Sequence, residues 1–367
     1  MRNRALIAAI CMTFAMSIHA RNLNEIMHEL GENMLVLLPG LYSDNSSVEK
    51  LQQDIVVMAD LLGEAEEHFV DSDPAVQATY NMLREHLIQT AGISANANLE
   101  MLRADLAESY TLCATCHNQD RKFLTSYGVS KIRDMDEFLA AEYSYITRDY
   151  DSALTSYNNT LNENIGSERI QKVLDRMLVI TLEVSADPKL ALESLSNARK
   201  LLAVKDRDTE DLDEWLKVIE RLASEPESIQ SPFAADSIEE MDRYLQNEWP
   251  VMRVVLDHNE QLVYWIAIRG RLHYMLRTFP GSMETPRVLY WLALSDRELH
   301  YRFYDSLSRR YLVRCIRDYS EHEVAQECFK EYEMLMIVSF SGSGGIYMPL
   351  EAQQEIRELR RLVYQPD

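Results

Sequence analysis

Apolar positions recur every three or four residues along most of the chain, the spacing that gathers them on one helix face. Leu23, Met27, Leu30, Met34, Leu37 and Leu41 form the first stripe, and Pro39-Gly40 is expected to end or bend its helix. A second helix is expected to open at Ser46 and Glu49, spaced as a capping box, and to carry Val48, Leu51, Ile55, Met58, Leu62, Ala65 and Phe69. Asp73-Pro74, a cap followed by proline in the first turn, starts a third with Val76, Tyr80, Leu83 and Leu87 on one face. The fourth shows Leu99, Leu102, Leu106, Tyr110, Cys113 and His117. Short polar links between helices of similar length predict an antiparallel four-helix bundle over residues 22–125.

Residues 137–228 are helical with a different signature. The run Tyr145 to Tyr157, with Ala153 at its centre, resembles the middle of a tetratricopeptide repeat, where a small residue lets two helices approach. Asp187-Pro188 through Leu195, with Ala191 and Ala198, is a second such stretch, 38 residues on from Ala153 to Ala191 against a repeat period of about 34. Glu225 to Asp236, rich in Ser, Pro and Glu, reads as a linker. Beyond it, helices are expected over Ile238–Trp249, Gln261–Leu276, Thr285–Leu294, Arg297–Tyr319, Glu323–Val338 and Pro349–Tyr364. The aromatics there, among them Tyr264, Trp265, Tyr290, Trp291, Tyr301, Phe303 and Tyr304, read as core and hairpin packing. Ser341 to Gly345 lacks the Lys-Ser/Thr of a phosphate loop and reads as a plain loop. The fold class is therefore all-α: a segment 1–20, a bundle over 21–135, repeat-like helices over 136–228 and a C-terminal helical domain over 229–367.

Composition narrows this further. Only 11 Gly and 10 Pro in 367 residues disfavour many-turned β structure, and 47% apolar residues suffice for real cores. Arg2 and Arg4, a short apolar run and the small Ala20 mark residues 1–20 as a signal peptide, so the expected location is the periplasm. No segment of the mature chain reads as a membrane span. The net charge of −22, −24 without the signal, disfavours nucleic acid and suits a partner with a basic docking face. Cys11 leaves with the signal, so Cys113, Cys116, Cys315 and Cys328 remain for pairing or ligation. Cys315 and Cys328 stand 13 apart on two arms of an expected hairpin, a candidate disulfide or two buried thiols.

Cys113-Ala114-Thr115-Cys116-His117 carries the chemistry. Cys-x-x-Cys-His is the attachment pattern of one covalently bound haem c: two thiols form thioethers with the vinyl groups, and the histidine takes the iron. A thioredoxin-type pair would need a βαβ setting and a helix N-terminus, and a zinc site about four ligands. Neither context surrounds this motif, which ends a helix in an all-α stretch. A bundle with the motif near the end of its last helix resembles the class II cytochromes c, the cytochrome c-prime family and its low-spin relatives. Ile26 to Met34 is similar to that family's opening helix, and Arg121 matches a basic position that often follows its motif.

The resemblance implies that Met27 faces the distal side of the iron, as sixth ligand or as a bulky neighbour that does not bond it. His28 lies about 100° round the helix from Met27. His68 and His86 fall off the apolar stripes and read as solvated surface. The leading expectation is an electron-transfer module whose repeats dock a redox partner protein. The alternatives are a five-coordinate haem that binds nitric oxide or carbon monoxide, and a repeat scaffold with structural haem. The family's bundles often form a homodimer, on a surface that the repeats could cover. No carboxylate spacing implies acid–base catalysis, so no catalytic residue is assigned.

Overall fold

The computed structural model describes residues 21–42, 47–92, 99–119, 135–204, 210–300 and 306–364. Residues 1–20, Ser46, Arg121, Tyr301, Phe303 and Tyr304 lie outside this set. The protein is all-α: among the described residues the strands are two of two residues each. No helix there is long and apolar enough to cross a membrane.

The first helices are α1 (Leu23–Tyr42), α2 (Val48–Glu64), the single turn α3 (Glu66–Phe69), α4 (Pro74–Ala91) and α5 (Leu99–Gln119). α2 lies against α1, α4 and α5, and α5 also meets α1 and α4. Pro39 falls in the final turn of α1, and the helix runs only three residues beyond it, to Tyr42. The cap of α2 is Ser47, whose hydroxyl accepts from the Lys50 amide; it replaces the expected Ser46–Glu49 box. α2 also stops short of Phe69, at Glu64. The turn α3 then sets Phe69 on Tyr80 with ring centroids 4.4 Å apart. Asp73 caps α4 as predicted, accepting from the amides of Ala75 and Val76.

Next come α6 (Glu137–Ile146), α7 (Tyr150–Asn162), α8 (Ser167–Leu178) continued by a π-helical stretch Val179–Val184, α9 (Pro188–Val204) and α10 (Glu210–Ser224). α6 and α7 form a close pair, and Ala153, Ala191 and Ala198 are fully buried where helices cross. The stretch 225–236 is largely exposed up to Gln230 and packs down at its end. Pro232 and Ala235 are buried, and Arg271 donates to the Ala235 carbonyl, because apolar side chains within the stretch find a surface to cover.

The rest comprises α11 (Ile238–Arg243), a π turn Tyr244–Glu248, α12 (Trp249–Met252), α13 (His258–Thr278), α14 (Thr285–His300), α15 (Leu307–Asp318), α16 (Ala325–Ser339) and α17 (Leu350–Tyr364). The single helix expected over Ile238–Trp249 is widened into a π turn ahead of Pro250, which has no amide to donate backward. The helix expected over Arg297–Tyr319 is instead two: α14 ends at His300, and Ser306 caps α15 by accepting from Arg309 N. The Ser341–Gly345 loop is a minimal hairpin, Ser341 opposite Ile346 and Gly342 opposite Gly345, whose φ of 113° suits glycine. The Cys315 and Cys328 sulfurs are bonded, joining α15 to α16 across a Cα separation of 6.4 Å.

The buried apolar residues form one connected cluster from Ile26 to Val363. α15 lies on α4, with Arg310 paired to Glu85 at 2.7 Å and Arg314 donating to Gln77 at 2.5 Å. Tyr311 of α15 also accepts from Gln119 at the end of α5, so the C-terminal helices reach the helix that carries the Cys-x-x-Cys-His motif.

Candidate functional site

The motif occupies the last two turns of α5. Cys113 is half-buried, Cys116 is buried, and neither is in a disulfide. Burial, with Cys116 alongside, pushes the Cys113 thiol up to about 12, so it is protonated at neutral pH. That is the opposite of the low value of a thioredoxin-type attacking cysteine.

His117 is held from α6. The Schellman ending of that helix uses Tyr145 O and Ser144 O to accept from Arg148 N and Asp149 N, with Arg148 in the left-handed region at φ 67°. The Ile146 carbonyl is among the end groups without a partner inside the helix, and His117 Nδ1 lies 2.5 Å from it. A carbonyl only accepts, so Nδ1 carries the proton and Nε2 keeps its lone pair. This is the outer-shell bond usual for a metal-ligating histidine. Burial, helped by the nearby Arg148 charge, pushes His117 down to about 3, so the ring stays neutral.

These side chains border a cavity of about 520 Å³. Leu23, Met27, Leu30, Gly31 and Met34 of α1 line it, with Met58 and Leu62 of α2. Cys113, Cys116 and His117 line it too, so Met27 and the motif border one space. His28 and His86 do not line it; His86 Nε2 donates to Asp105 O at 2.7 Å. Arg121 lies outside the described residues.

Sequence reasoning missed several members. His68, expected to be solvated surface, is half-buried and lines the cavity. The break at Ala65 turns α3 inward, and its Nε2 donates to Arg21 O at 2.9 Å. Thr147 and Arg148 come from the end of α6, and Arg277, Thr285 and Tyr319 from beyond residue 270. Arg277 donates to Gln119 O, at the end of α5. The Gln119 side chain donates to Thr79 and Tyr311 at 3.0 and 3.2 Å, so α4, α13 and α15 all grip the end of the motif helix. No periodicity could announce these partners, because they join only through tertiary packing.

Among the described residues, no group of three or more His, Cys, Asp or Glu side chains converges to hold a bare metal ion. No protein-family model, curated protein or solved structure matches the chain.

Proposed function

We propose that the protein is an exported monohaem c-type cytochrome that transfers electrons. One observation carries this reading. Cys113, Cys116, His117 and Met27 border a single cavity of about 520 Å³, within the roughly 300–1,000 Å³ range of cofactor sites. The residues fit the group. Two thiols outside any disulfide suit thioether formation, a histidine with its Nδ1–H engaged offers Nε2 to iron, and the wall is largely apolar. A macrocycle brings its own four nitrogens, so few protein donors are needed. Haem bound here supplies one-electron ferric–ferrous chemistry.

The chain's own residues set the terms of that exchange. The Ile146 carbonyl fixes the tautomer and orientation of His117. Leu23, Leu30 and Met34 exclude water from the distal wall. Met27 offers a soft, neutral thioether that favours the reduced ion. In this reading α1, α2, α4 and α5 are a class II cytochrome c-like bundle over residues 21–135. The helix pairs that follow are repeat-like arms for docking a redox partner with a basic face, in the periplasm. Full burial of Ala153 and Ala191 supports the repeat assignment.

The apolar neighbours of Met27 favour one second reading, in which Met27 borders the iron without bonding it and the sixth position takes a small gas. The two separate experimentally. Wild-type protein matured by a host competent for c-type attachment should give a pyridine haemochrome of one haem per chain and a ferric Met–iron charge-transfer band. Met27→Ala should abolish that band and lower the midpoint potential. A high-spin wild type that binds carbon monoxide without ligand displacement selects the gas-binding reading.

A further inference from the structure

The cavity draws two arginines from outside the bundle region. Arg148 follows α6, and Arg277 lies near the end of α13; both line the space that holds Cys113, Cys116 and His117. We infer that Arg148 and Arg277 together form the site's carboxylate anchor, holding the two propionate groups of the haem so that the C-terminal helices complete the cofactor site. This rests on the reading of the site as a c-type haem centre.

Three observations converge on it. First, Arg148 stands at the left-handed position of a Schellman motif, at φ 67°. Glycine costs least there, and an L side chain costs roughly 1–2 kcal/mol. An arginine at that position spends stability on keeping a guanidinium at this corner. Second, the Ile146 carbonyl that holds His117 Nδ1 at 2.5 Å stands two residues before Arg148, so this corner of the chain lies at the histidine. Third, Arg277 reaches across from α13 to donate to Gln119 O, two residues beyond His117. That bond fixes the guanidinium at the same end of the cavity.

A guanidinium presents a planar fork of donors that matches a carboxylate, which a lone lysine does not. Two acids also border this space. Asp73 is engaged as the cap of α4, accepting from Ala75 and Val76, and Asp71 is exposed on the link before it. The remaining titratable groups that border the space are His68, Tyr80 and Tyr319, with the motif itself. Tyr80 is committed to Leu62 O at 2.6 Å, and His68 to Arg21 O. A largely apolar pocket with two cations in its lining suits a flat apolar ligand that carries two acids.

The test compares wild type, Arg148→Gln, Arg277→Gln and the charge-keeping Arg148→Lys as full-length, haem-matured proteins. Each is first scored for haem by pyridine haemochrome, then titrated for midpoint potential from pH 5 to 9. Covalent attachment leaves all four coloured. In wild type the carboxylates stay ionised beside the arginines, and their titration adds no slope between pH 5 and 9. Each Gln variant should lower the potential at pH 7 by a tenfold change in the ferrous-to-ferric ratio, ~59 mV for one electron. It should also gain a slope at the acid end, where a less paired carboxylate takes up a proton. Arg148→Lys should return most of the wild-type profile.

Coloured Gln variants with wild-type potentials and pH profiles overturn the anchor and leave the haem reading standing. A wild-type potential that moves with added inorganic phosphate, in contrast to the variants, shows a free anion on the pair and also overturns it. Colourless wild type overturns the reading and the anchor together.

Discussion

Two sets of polar side chains meet α6, one along its length and one at its end, and they are finished differently. Along the helix, Glu142 is fully buried yet answered on every side. It accepts from Tyr157 at 2.5 Å and Tyr42 at 2.9 Å, with Arg176 at 3.6 Å and Lys172 at 3.8 Å. Tyr110 donates to the Glu142 carbonyl, and Arg176 stacks over Tyr145 with its guanidinium carbon 4.6 Å from the centroid. At the helix end, the Ile146 carbonyl holds His117 beside a cavity of about 520 Å³. A closed network of mutual partners welds α1, α5, α6, α7 and α8 together and has no room for a ligand. The neutral imidazole and the two thiols instead line a cavity with a largely apolar wall. Unusual burial of polar groups therefore does not by itself mark a candidate site; a cavity beside them is the added feature on which the proposal rests.

The comparison is broken most severely at the closed side. Glu142→Gln leaves Lys172 and Arg176 without their buried counter-charge. It should cost about 3 kcal/mol in urea unfolding, the low end for a broken buried pair because the Lys172 side chain keeps 31% exposure. The visible spectrum of the loaded protein should not change. A shifted spectrum would mean that the network acts on the cofactor site. Gly270→Ala tests whether the closed half is also tightly packed. Its new methyl would sit 2.7 Å from the Cα and carbonyl oxygen of Glu183, in the π-helical stretch that α13 crosses. We expect a loss of roughly 1–3 kcal/mol by the same assay, again with an unchanged spectrum.

The smallest effect comes from His273, buried between the charges of Arg269 and Arg277. Burial, reinforced by those arginines, holds it well below its ordinary value of 6.5. As the pH falls below 6.5, the unfolded chain takes a proton that the folded state refuses. Stability is then lost by about 1.4 kcal/mol per pH unit for this one group. His273→Leu should flatten that part of the acid profile and leave stability near pH 7 almost unchanged. A slope identical to that of wild type would place the acid sensitivity elsewhere.

Helices and the motif were legible in the sequence because both are local. Three-and-four spacing marks α1, α2, α4 and α5, and Asp73-Pro74 announces the start of α4 with its actual cap. Met27 was readable for the same reason, one turn ahead of Leu30 on a face that lines the cavity. Departures gathered at prolines, where the surrounding structure absorbed a local stop signal. Pro39 was tolerated in a last turn, the Pro232 stretch found a surface to cover, and Pro250 was absorbed by a π turn. The rest of the cavity wall was not legible at all. Arg148 lies 31 residues and Arg277 160 residues beyond His117, and only the packing of α6 and α13 against α5 brings them to it. Glu142 gave no signal either, since a lone acid in a run of alanines and tyrosines reads equally well as an exposed residue.

The central claim is that the thiols of Cys113 and Cys116 carry a haem whose iron His117 holds. Proteolysis of the exported, mature protein, followed by mass spectrometry of the peptide that contains residues 113–117, tests it most directly. The account predicts one haem on that peptide through both sulfurs, with one iron per chain. A peptide with both thiols free to be alkylated, from a host that matures other c-type cytochromes normally, would contradict it.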